Sequence, residues 1–202
     1  MSSQKNVGIL IFNEAEVLDF AGPFEVFSIA TAEDKQSKLF CVKTIAETKM
    51  TISARNGLKV TPDYDFDDCL GLDILIIPGG YGAEEIEIHN HRLLSWIQQR
   101  AADTPIVASV CTGAFLLAEA GLLNGKRATT HWMDIDRLER EYPRLSVQRN
   151  VKFVDEGSIL TAGGISAGIN LSFYLLNKLY GNAVAIDTAK RMEYDIDIKS
   201  LT

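Results

Sequence analysis

Four short runs of almost wholly apolar residues punctuate the chain, and each has the length of a β-strand rather than a helix. They occupy residues 7–12, 73–77, 105–110 and 158–162. Strands that are apolar without alternation are typical of parallel sheets covered by helices on both faces. The pattern therefore predicts a central, mostly parallel sheet.

The segments between and after these runs carry apolar residues at helical spacing. Helices are predicted over residues 23–32, 93–102, 114–120, 134–142, 166–180 and 182–192, with further strands at 39–46, 49–54, near Val60, and at 126–130 and 145–154. This alternation favours a three-layer α/β/α sandwich. No repeat, low-complexity tract or linker interrupts residues 1–202, which are expected to form a single domain.

One strand turns directly into a helix, in the stretch PIVASVCTGAFLLAEAGLLNGK from Pro105 to Lys126. Cys111 stands at the corner, with the small residues Ser109 and Gly113 on either side. This is the arrangement of a nucleophile elbow, which exposes a reactive side chain at the carboxyl edge of a sheet. The N-terminus of the helix is expected to favour the thiolate. The alternative is that Cys111 is a small buried filler.

Two other strand ends should meet Cys111 at the same sheet edge. Asp19 follows the first strand between apolar neighbours, where it serves either the chemistry or the capping of the next helix. Gly79 and Gly80 follow another strand, and one of their N–H groups, paired with that of Thr112, would form an oxyanion hole. The glycine spacing fits neither common nucleotide-binding motif, so phosphate binding is not expected.

The histidines divide into two groups. His131 lies at the end of a short predicted strand among small polar residues, so it is either a third site residue or a structural histidine. His89 and His91 are two positions apart and do not share a helix face, which indicates a solvated helix start rather than a metal site. No metal is therefore predicted.

Composition narrows the classes of function. Across 202 residues, 20 basic and 27 acidic side chains give a net charge of -7, and no basic cluster suggests nucleic-acid binding. The three cysteines show neither disulfide nor zinc spacing. The N-terminal apolar run is too short for a signal peptide or a membrane span. A soluble, cytoplasmic protein without nucleic-acid or membrane partners is expected.

Taken together, the blocks VGILIF, LDFAGPFEVF, DILIIPGGYG, VASVCTGAFLLAEAGLLNGKRATTHW and ILTAGGISAGIN resemble the ThiJ/PfpI superfamily. That resemblance covers nearly the whole chain and implies a flavodoxin-like sandwich related to class I glutamine amidotransferases. LDFAGP, SVCTG and ATTHW look most like isocyanide hydratases and the amidotransferase-like domains of AraC-type regulators. The sequence ends at Thr202 without a helix-turn-helix domain, which favours the hydratase-like group.

The hydratase resemblance implies a role for each site residue. Cys111 would be the nucleophile, Asp19 the carboxyl bonded to it, and Thr112 a site hydroxyl and oxyanion-side N–H. Gly80 matches the glycine facing the sulfur, and Ile165, with the two glycines before it, matches the start of the helix beside the cysteine. Peptidases of the superfamily carry a histidine directly after the cysteine. Thr112 stands there in this chain, which weakens a protease interpretation.

The implied chemistry is the hydration of a small-molecule isocyanide to an N-substituted formamide through a thioimidate on Cys111, without a metal or organic cofactor. Asp19 is predicted to stay protonated, because a carboxylate and a thiolate do not readily ionise side by side. Two alternatives remain open: a non-catalytic metabolite or redox sensor, and glyoxalase or deglycase chemistry, whose relatives carry glutamate where Asp19 stands. A homodimer is also implied by resemblance.

Overall fold

The computed structural model describes residues 4–196, and a seven-stranded sheet runs through their centre. The strands of the whole described region, in chain order, are β1 (Lys5–Leu10), β2 (Phe40–Ala46), β3 (Ile52–Ser53), β4 (Lys59–Val60), β5 (Tyr64–Asp65), β6 (Ile74–Ile77), β7 (Ile106–Val110), β8 (Arg127–Ala128), β9 (Ser146–Val147), β10 (Phe153–Asp155) and β11 (Ile159–Ala162). The sheet order is β10-β11-β7-β6-β1-β2-β5.

All neighbours in this sheet are parallel except the β10–β11 hairpin. The central strands β1, β6 and β7 are buried over most of their length, as their unbroken apolar sequences require. In register, Ile77 of β6 lies opposite Ser109 of β7, and Val110 lies opposite Ala162 of β11. The carboxyl ends of β6, β7 and β11 therefore meet at one edge, where the candidate residues follow.

Six α-helices of the described residues flank the sheet: α1 (Val17–Ile29), α2 (His91–Asp103), α3 (Gly113–Glu119), α4 (Ile135–Glu141), α5 (Ala167–Tyr180) and α6 (Asn182–Arg191). Helices α1, α5 and α6 pack against one another, and α2 packs against α3. The mostly parallel sheet with helices around it confirms the predicted α/β fold. No helix within residues 4–196 combines the length and apolar character needed to cross a bilayer.

Several predicted boundaries are wrong. Helix α1 begins at Val17 rather than at Pro23, so Asp19 lies inside its first turn rather than in the preceding loop, and Pro23 lies mid-helix. Pro23 has no N–H to offer the carbonyl of Asp19, a local cost that packing must offset. The long strands predicted over 49–54, 126–130 and 145–154 shorten to two- or three-residue strands.

The segment before α2 also differs from the expected helix start. A π-helical turn covers Gly82–Ile86 and a 3-10 turn covers Glu87–His89. Asn90 then caps α2, its side-chain oxygen accepting the N–H groups of Arg92 and Leu93.

Candidate active site

Cys111 occupies the sharp corner between β7 and α3. Its φ of 56° lies in the left-handed region, which residues with a Cβ adopt at a cost. The bend is held on both sides: the Cys111 N–H donates to the carbonyl of Gly163 at 3.0 Å, and its carbonyl accepts the Thr130 hydroxyl at 2.9 Å. The side chain is 6% exposed. Cys111 is thus fixed at an elbow with a narrow opening to solvent.

Ile165, between β11 and α5, is a second strained residue that faces the first. Its φ is 48°, which is rare for a β-branched residue, and its N–H donates towards the sulfur of Cys111. Two left-handed residues from different loops therefore meet at one sulfur atom. Such conformations persist where the surrounding structure holds them, and they cluster at functional sites.

Asp19 lies beside the thiol on the opposite side. The residue is fully buried, and its Oδ2 accepts the Gly79 N–H at 2.9 Å. Its Oδ1 is also buried and accepts no well-formed hydrogen bond from the described residues, although the Cys111 side chain interacts with the carboxyl. A buried carboxyl with one oxygen left for its neighbour is placed to exchange a proton with that neighbour.

The environment of Asp19 favours its protonated form. Burial raises the pKa of the carboxyl to about 7, and the negative charge of Glu16 adds to the rise. Hydrogen bonds from Gly79 and from Cys111 act in the opposite direction and lower this pKa. The rise is in the predicted direction for Asp19, but the pKa of the Cys111 thiol is raised as well, so it does not single out Asp19 as the protonated member of the pair.

The thiol differs from the expectation of a helix-stabilised thiolate. Burial raises the pKa of Cys111, and the charge of Asp19 raises it further, while the N–H groups of Thr112 and Ile165 lower it. Desolvation outweighs those two donors in the resting protein, because only 6% of the residue reaches solvent. The pair of Cys111 and Asp19 therefore resists carrying two negative charges at once.

The glycine loop after β6 has a different role from the one expected. The Gly79 N–H is bonded to Asp19, and the Gly80 N–H is bonded to the Thr112 hydroxyl at 2.9 Å. A Cβ at Gly79 would lie 2.4 Å from the Thr112 nitrogen, so only glycine permits this approach. Both N–H groups are occupied, and the donors beside the sulfur are those of Thr112 and Ile165.

His131 lies against the Gly164–Ile165 segment. Its ring packs against Gly164, where an added Cβ would come within 2.1 Å of the ring. Nδ1 is 3.4 Å from Asp134 and accepts the Met133 N–H at 3.4 Å. His131 therefore packs against the backbone beside the thiol through Gly164, and its Nδ1 faces Asp134.

A cleft of about 560 Å³ opens beside His131, and we call it the lateral cleft. Its walls include Thr129, His131, Trp132, Lys152, Ile165 and Ser166. Neither Cys111 nor Asp19 belongs to its walls, but Thr130, Gly163 and Ile165, which bond to Cys111, do.

Two residues that hold the site were not singled out from the sequence. Thr130 anchors the Cys111 carbonyl, and Glu16 both raises the pKa of Asp19 and donates its N–H to the Gly79 carbonyl at 2.9 Å. The threonine pair of the ATTHW block and the acid three residues before Asp19 were the available clues. Within residues 4–196, no cluster of three or more histidine, cysteine or acidic side chains is arranged to hold a metal ion.

Sequence comparison gives the site a context. Residues 5–178 match the model of the DJ-1/PfpI family. An isonitrile hydratase of Pseudomonas putida is 34% identical over 192 residues, covering 95% of this chain and 77% of the hydratase. The HTH-type transcriptional regulator GbdR of Pseudomonas aeruginosa is 23% identical over 191 residues. The chain spans 51% of that regulator's length.

Solved structures show the same fold. A ThiJ/PfpI family protein from Pseudomonas syringae superposes with a TM-score of 0.85 at 24% identity, covering 96% of this chain and 77% of the other. Drosophila melanogaster DJ-1beta superposes with a TM-score of 0.80 at 16% identity, covering 96% of this chain and all of the other. With the cysteine elbow, the buried aspartate and the family match over most of its length, the chain belongs to the DJ-1/PfpI family.

Proposed function

We propose that this protein is a cysteine-dependent hydratase that converts a small isocyanide into an N-substituted formamide. The observation that carries the proposal is the buried Asp19 carboxyl, with a pKa of about 7, beside the Cys111 thiol. This pair combines a nucleophile with a proton donor. The 34% identity to an isonitrile hydratase supports an enzyme of this family and makes isocyanides the first substrates to test.

The reaction begins with one proton shared by the pair, which rests on the Cys111 sulfur and passes to the Asp19 carboxylate as the substrate binds, leaving a thiolate. The sulfur bonds to the terminal carbon of the isocyanide, and the Asp19 proton moves to that same carbon, giving an S-thioimidate and leaving a carboxylate. The Cys111–Asp19 pair then carries one negative charge. A thiolate beside a carboxylate would carry two, which the low-dielectric site disfavours.

Water completes the turnover. Its hydroxyl adds to the thioimidate carbon and its proton goes to nitrogen. The carbon–sulfur bond then breaks as the carbonyl forms, and the hydroxyl proton returns to Asp19. The Thr112 and Ile165 N–H groups stabilise the thiolate at the start and at the end of this cycle. The residues are restored and the product is the formamide.

The narrow approach to the thiol supports a slender electrophile. Only 6% of Cys111 is exposed, so a bulky carbonyl carbon with two substituents would meet the walls before it met the sulfur. The terminal carbon of an isocyanide has no other substituent. We further propose that the substrate is a small molecule, that no cofactor takes part, that the protein acts in the cytoplasm, and that it works as a homodimer.

A second candidate is a sensor, because GbdR aligns over 95% of this chain. The raised pKa of Cys111 also suits a thiol that does not react until a ligand changes its surroundings. A sensor would bind a metabolite at this site without converting it. Glyoxalase or deglycase chemistry needs the same thiol and is tested by the same variants.

The test follows formamide formation from an aryl isocyanide with the unaltered protein, Cys111→Ala and Asp19→Asn. We expect turnover to vanish in Cys111→Ala and to fall at least 100-fold in Asp19→Asn, since positioned proton transfer contributes roughly 10²–10⁴-fold. Cys41→Ala is the matched control and should keep full activity, because Cys41 lies on β2 away from the site.

Alkylation of Cys111 by iodoacetamide at pH 8 separates chemistry from collapse of the site. Asp19→Asn removes a negative charge that raises the pKa of the thiol, so alkylation should be faster although turnover is lost. Full activity in Cys111→Ala would refute the assignment of Cys111 as the nucleophile. Absence of turnover together with a saturable thermal shift by the isocyanide would support the sensor instead.

A further inference from the structure

The backbone of Cys111 is held on both of its sides, and one of the two anchors has no part in the proposed mechanism. On the amino side, the Cys111 N–H donates to the carbonyls of Gly163 at 3.0 Å and Ala162 at 3.2 Å. On the carboxyl side, the Cys111 carbonyl accepts the Thr130 hydroxyl at 2.9 Å. Because the peptide groups on both sides are fixed, both backbone dihedral angles of the cysteine are set.

The Thr130 hydroxyl is the main partner of this carbonyl within the described residues. The other donor is the N–H of Ala114, which lies at 3.4 Å, beyond the usual range for a bond of this type. Cys111 is 6% exposed and Thr130 is 2% exposed, so solvent has little access to replace the bond. A buried carbonyl that loses its partner disfavours the conformation that buries it.

The segment that carries Thr130 is itself tied to the central sheet. The N–H of Thr129 donates to the hydroxyl of Thr161 in β11 at 2.9 Å, and Thr161 lies opposite Ser109 of β7 in register. The β-branched side chain of threonine restricts χ1, which limits the directions that the Thr130 hydroxyl can take. The anchor on the Cys111 carbonyl therefore comes from a well-placed side chain.

The strain at the elbow explains why such an anchor is needed. A φ of 56° is unfavourable for a residue with a Cβ, so Cys111 would leave this conformation if its surroundings allowed it. The Cα–Cβ bond turns with the backbone, and the sulfur turns with that bond. A relaxed corner would therefore carry the sulfur away from the N–H groups of Thr112 and Ile165 and from the Asp19 carboxyl.

We propose that Thr130 is a positioning residue, whose hydroxyl holds Cys111 in the left-handed conformation and so keeps the sulfur beside its two N–H donors. Thr130 acts through the backbone of the cysteine rather than on the substrate. The assignment concerns the reactivity of the thiol towards any electrophile, and only its consequence for turnover rests on the proposed hydration. Two measurements therefore test it, and one of them needs no isocyanide.

The first measurement is the rate at which iodoacetamide alkylates Cys111 between pH 7 and pH 9. Peptide mass spectrometry separates this thiol from Cys41 and Cys69. Thr130→Val removes the hydroxyl at nearly constant volume, and alkylation should slow at least about fivefold at each pH, because a thiolate without its donors is less populated. Thr130→Ser keeps the hydroxyl and should stay within about twofold of the unaltered protein. Thr130→Ala also lacks the hydroxyl and gives the same comparison if the valine variant does not fold.

Thr188→Val is the matched control. Thr188 is also 2% exposed, and its hydroxyl donates to the Val184 carbonyl at 2.8 Å, but it lies on α6, which carries no residue of the site. This variant loses a hydrogen bond of the same kind, so it reports the effect of lost stability alone, and Cys111 should react at its normal rate. A loosened fold would expose the thiol and speed its alkylation, which is the opposite of the change expected in Thr130→Val.

The second measurement is isocyanide turnover. In Thr130→Val, kcat should fall at least about tenfold while KM stays within about twofold, because the thiol is displaced but the walls that contact the substrate are kept. Thr130→Ser should restore kcat, and Thr188→Val should leave it unchanged.

Alkylation of Thr130→Val or Thr130→Ala at the rate of Thr130→Ser, or faster, would overturn the assignment. An equal slowing in Thr188→Val would do the same, because the effect would then come from lost stability. If the unaltered protein hydrates no isocyanide, the proposed function fails, and the alkylation rates still decide the role of Thr130.

Discussion

At the scale of single residues, Asp19 and Cys111 show how burial sets the chemistry of a pair. The same desolvation raises the pKa of both groups, and the charge of Asp19 raises the pKa of Cys111 further, whereas the hydrogen bond from Cys111 lowers the pKa of Asp19. Two N–H groups stabilise the sulfur, while a single one stabilises the carboxyl. The pair therefore keeps at least one proton at neutral pH, and the pKa of about 7 at Asp19 suits that carboxyl to accept and return it.

The raised pKa of Asp19 has a consequence for stability. The carboxyl titrates near its ordinary value of 3.8 when unfolded and at about 7 when folded. The folded state thus binds the extra proton between these values, so stability falls as pH rises through that window and levels off above it. The full effect is up to about 4 kcal/mol. Urea unfolding at pH 5 and pH 8 should show the lower stability at pH 8.

Asp19→Asn should remove most of that difference, because an amide does not titrate. Asp63→Asn is the control: hydrogen bonds from Thr44 and Lys43 lower the pKa of Asp63, so its contribution is constant over this range. Asp63→Asn should therefore lower the free energy of unfolding by the same amount at pH 5 and at pH 8. Equal stability of the unaltered protein at pH 5 and pH 8 would show that Asp19 titrates normally.

At the scale of elements, the site depends on how closely the loop after β6 approaches the elbow after β7. Gly79 touches the backbone of Thr112 and donates to Asp19, so one residue joins three elements. Its carbonyl also accepts the N–H of Glu16 at the start of α1. The position of the thiol relative to the carboxyl is therefore set mainly by backbone contacts.

Gly79→Ala should destabilise the protein by about 3 kcal/mol or more, since its Cβ would lie 2.4 Å from the Thr112 nitrogen and backbone cannot easily yield. Gly71→Ala, where a Cβ would meet nothing within 4 Å, should change stability by less than about 0.5 kcal/mol. Urea midpoints of the two variants give the comparison. Equal urea midpoints for Gly79→Ala and Gly71→Ala would mean that the loop after β6 and the elbow after β7 can move apart without loss of stability.

The sequence predicted the strands and the elbow well because their evidence is local. Residues 105–110 are apolar enough to be recognised as a buried strand, and Gly113 marks the start of α3. The start of α1 was missed because Pro23 normally marks a first turn, whereas packing holds it mid-helix. The raised pKa of Cys111 and the partners of the Gly79 and Gly80 N–H groups depend on contacts between distant segments, which spacing does not reveal.

At the scale of the whole molecule, the net charge and the exposed apolar side chains bear on which partners the protein can bind. The net charge of -7 discourages binding to polyanions. Exposed apolar side chains near the site include Leu18, Tyr81, Trp132 and Met133. Patches of this kind are typical of surfaces that contact ligands or other chains. The homodimer therefore remains a prediction to be measured.

Light scattering of the purified chain should give a mass near two copies of 22.3 kDa. The apolar surface predicts that this mass persists in 1 M salt, since burial of apolar area is not screened as charge pairs are. Arg137→Gln, which breaks ion pairs to Glu85 and Glu141, is a control that tests whether surface charge pairs matter. A mass of one chain at all concentrations would exclude the dimer.

The left-handed backbone at Cys111 also bears on how this protein can change over time. Glycine adopts that conformation freely, whereas any residue with a Cβ gives up of order 1–2 kcal/mol there. Glycine would relieve that strain but empty the buried space that the Cys111 side chain fills. Alanine would carry the same strain without a reactive group, so wherever a descendant retains cysteine at this corner, the sulfur itself has been worth keeping.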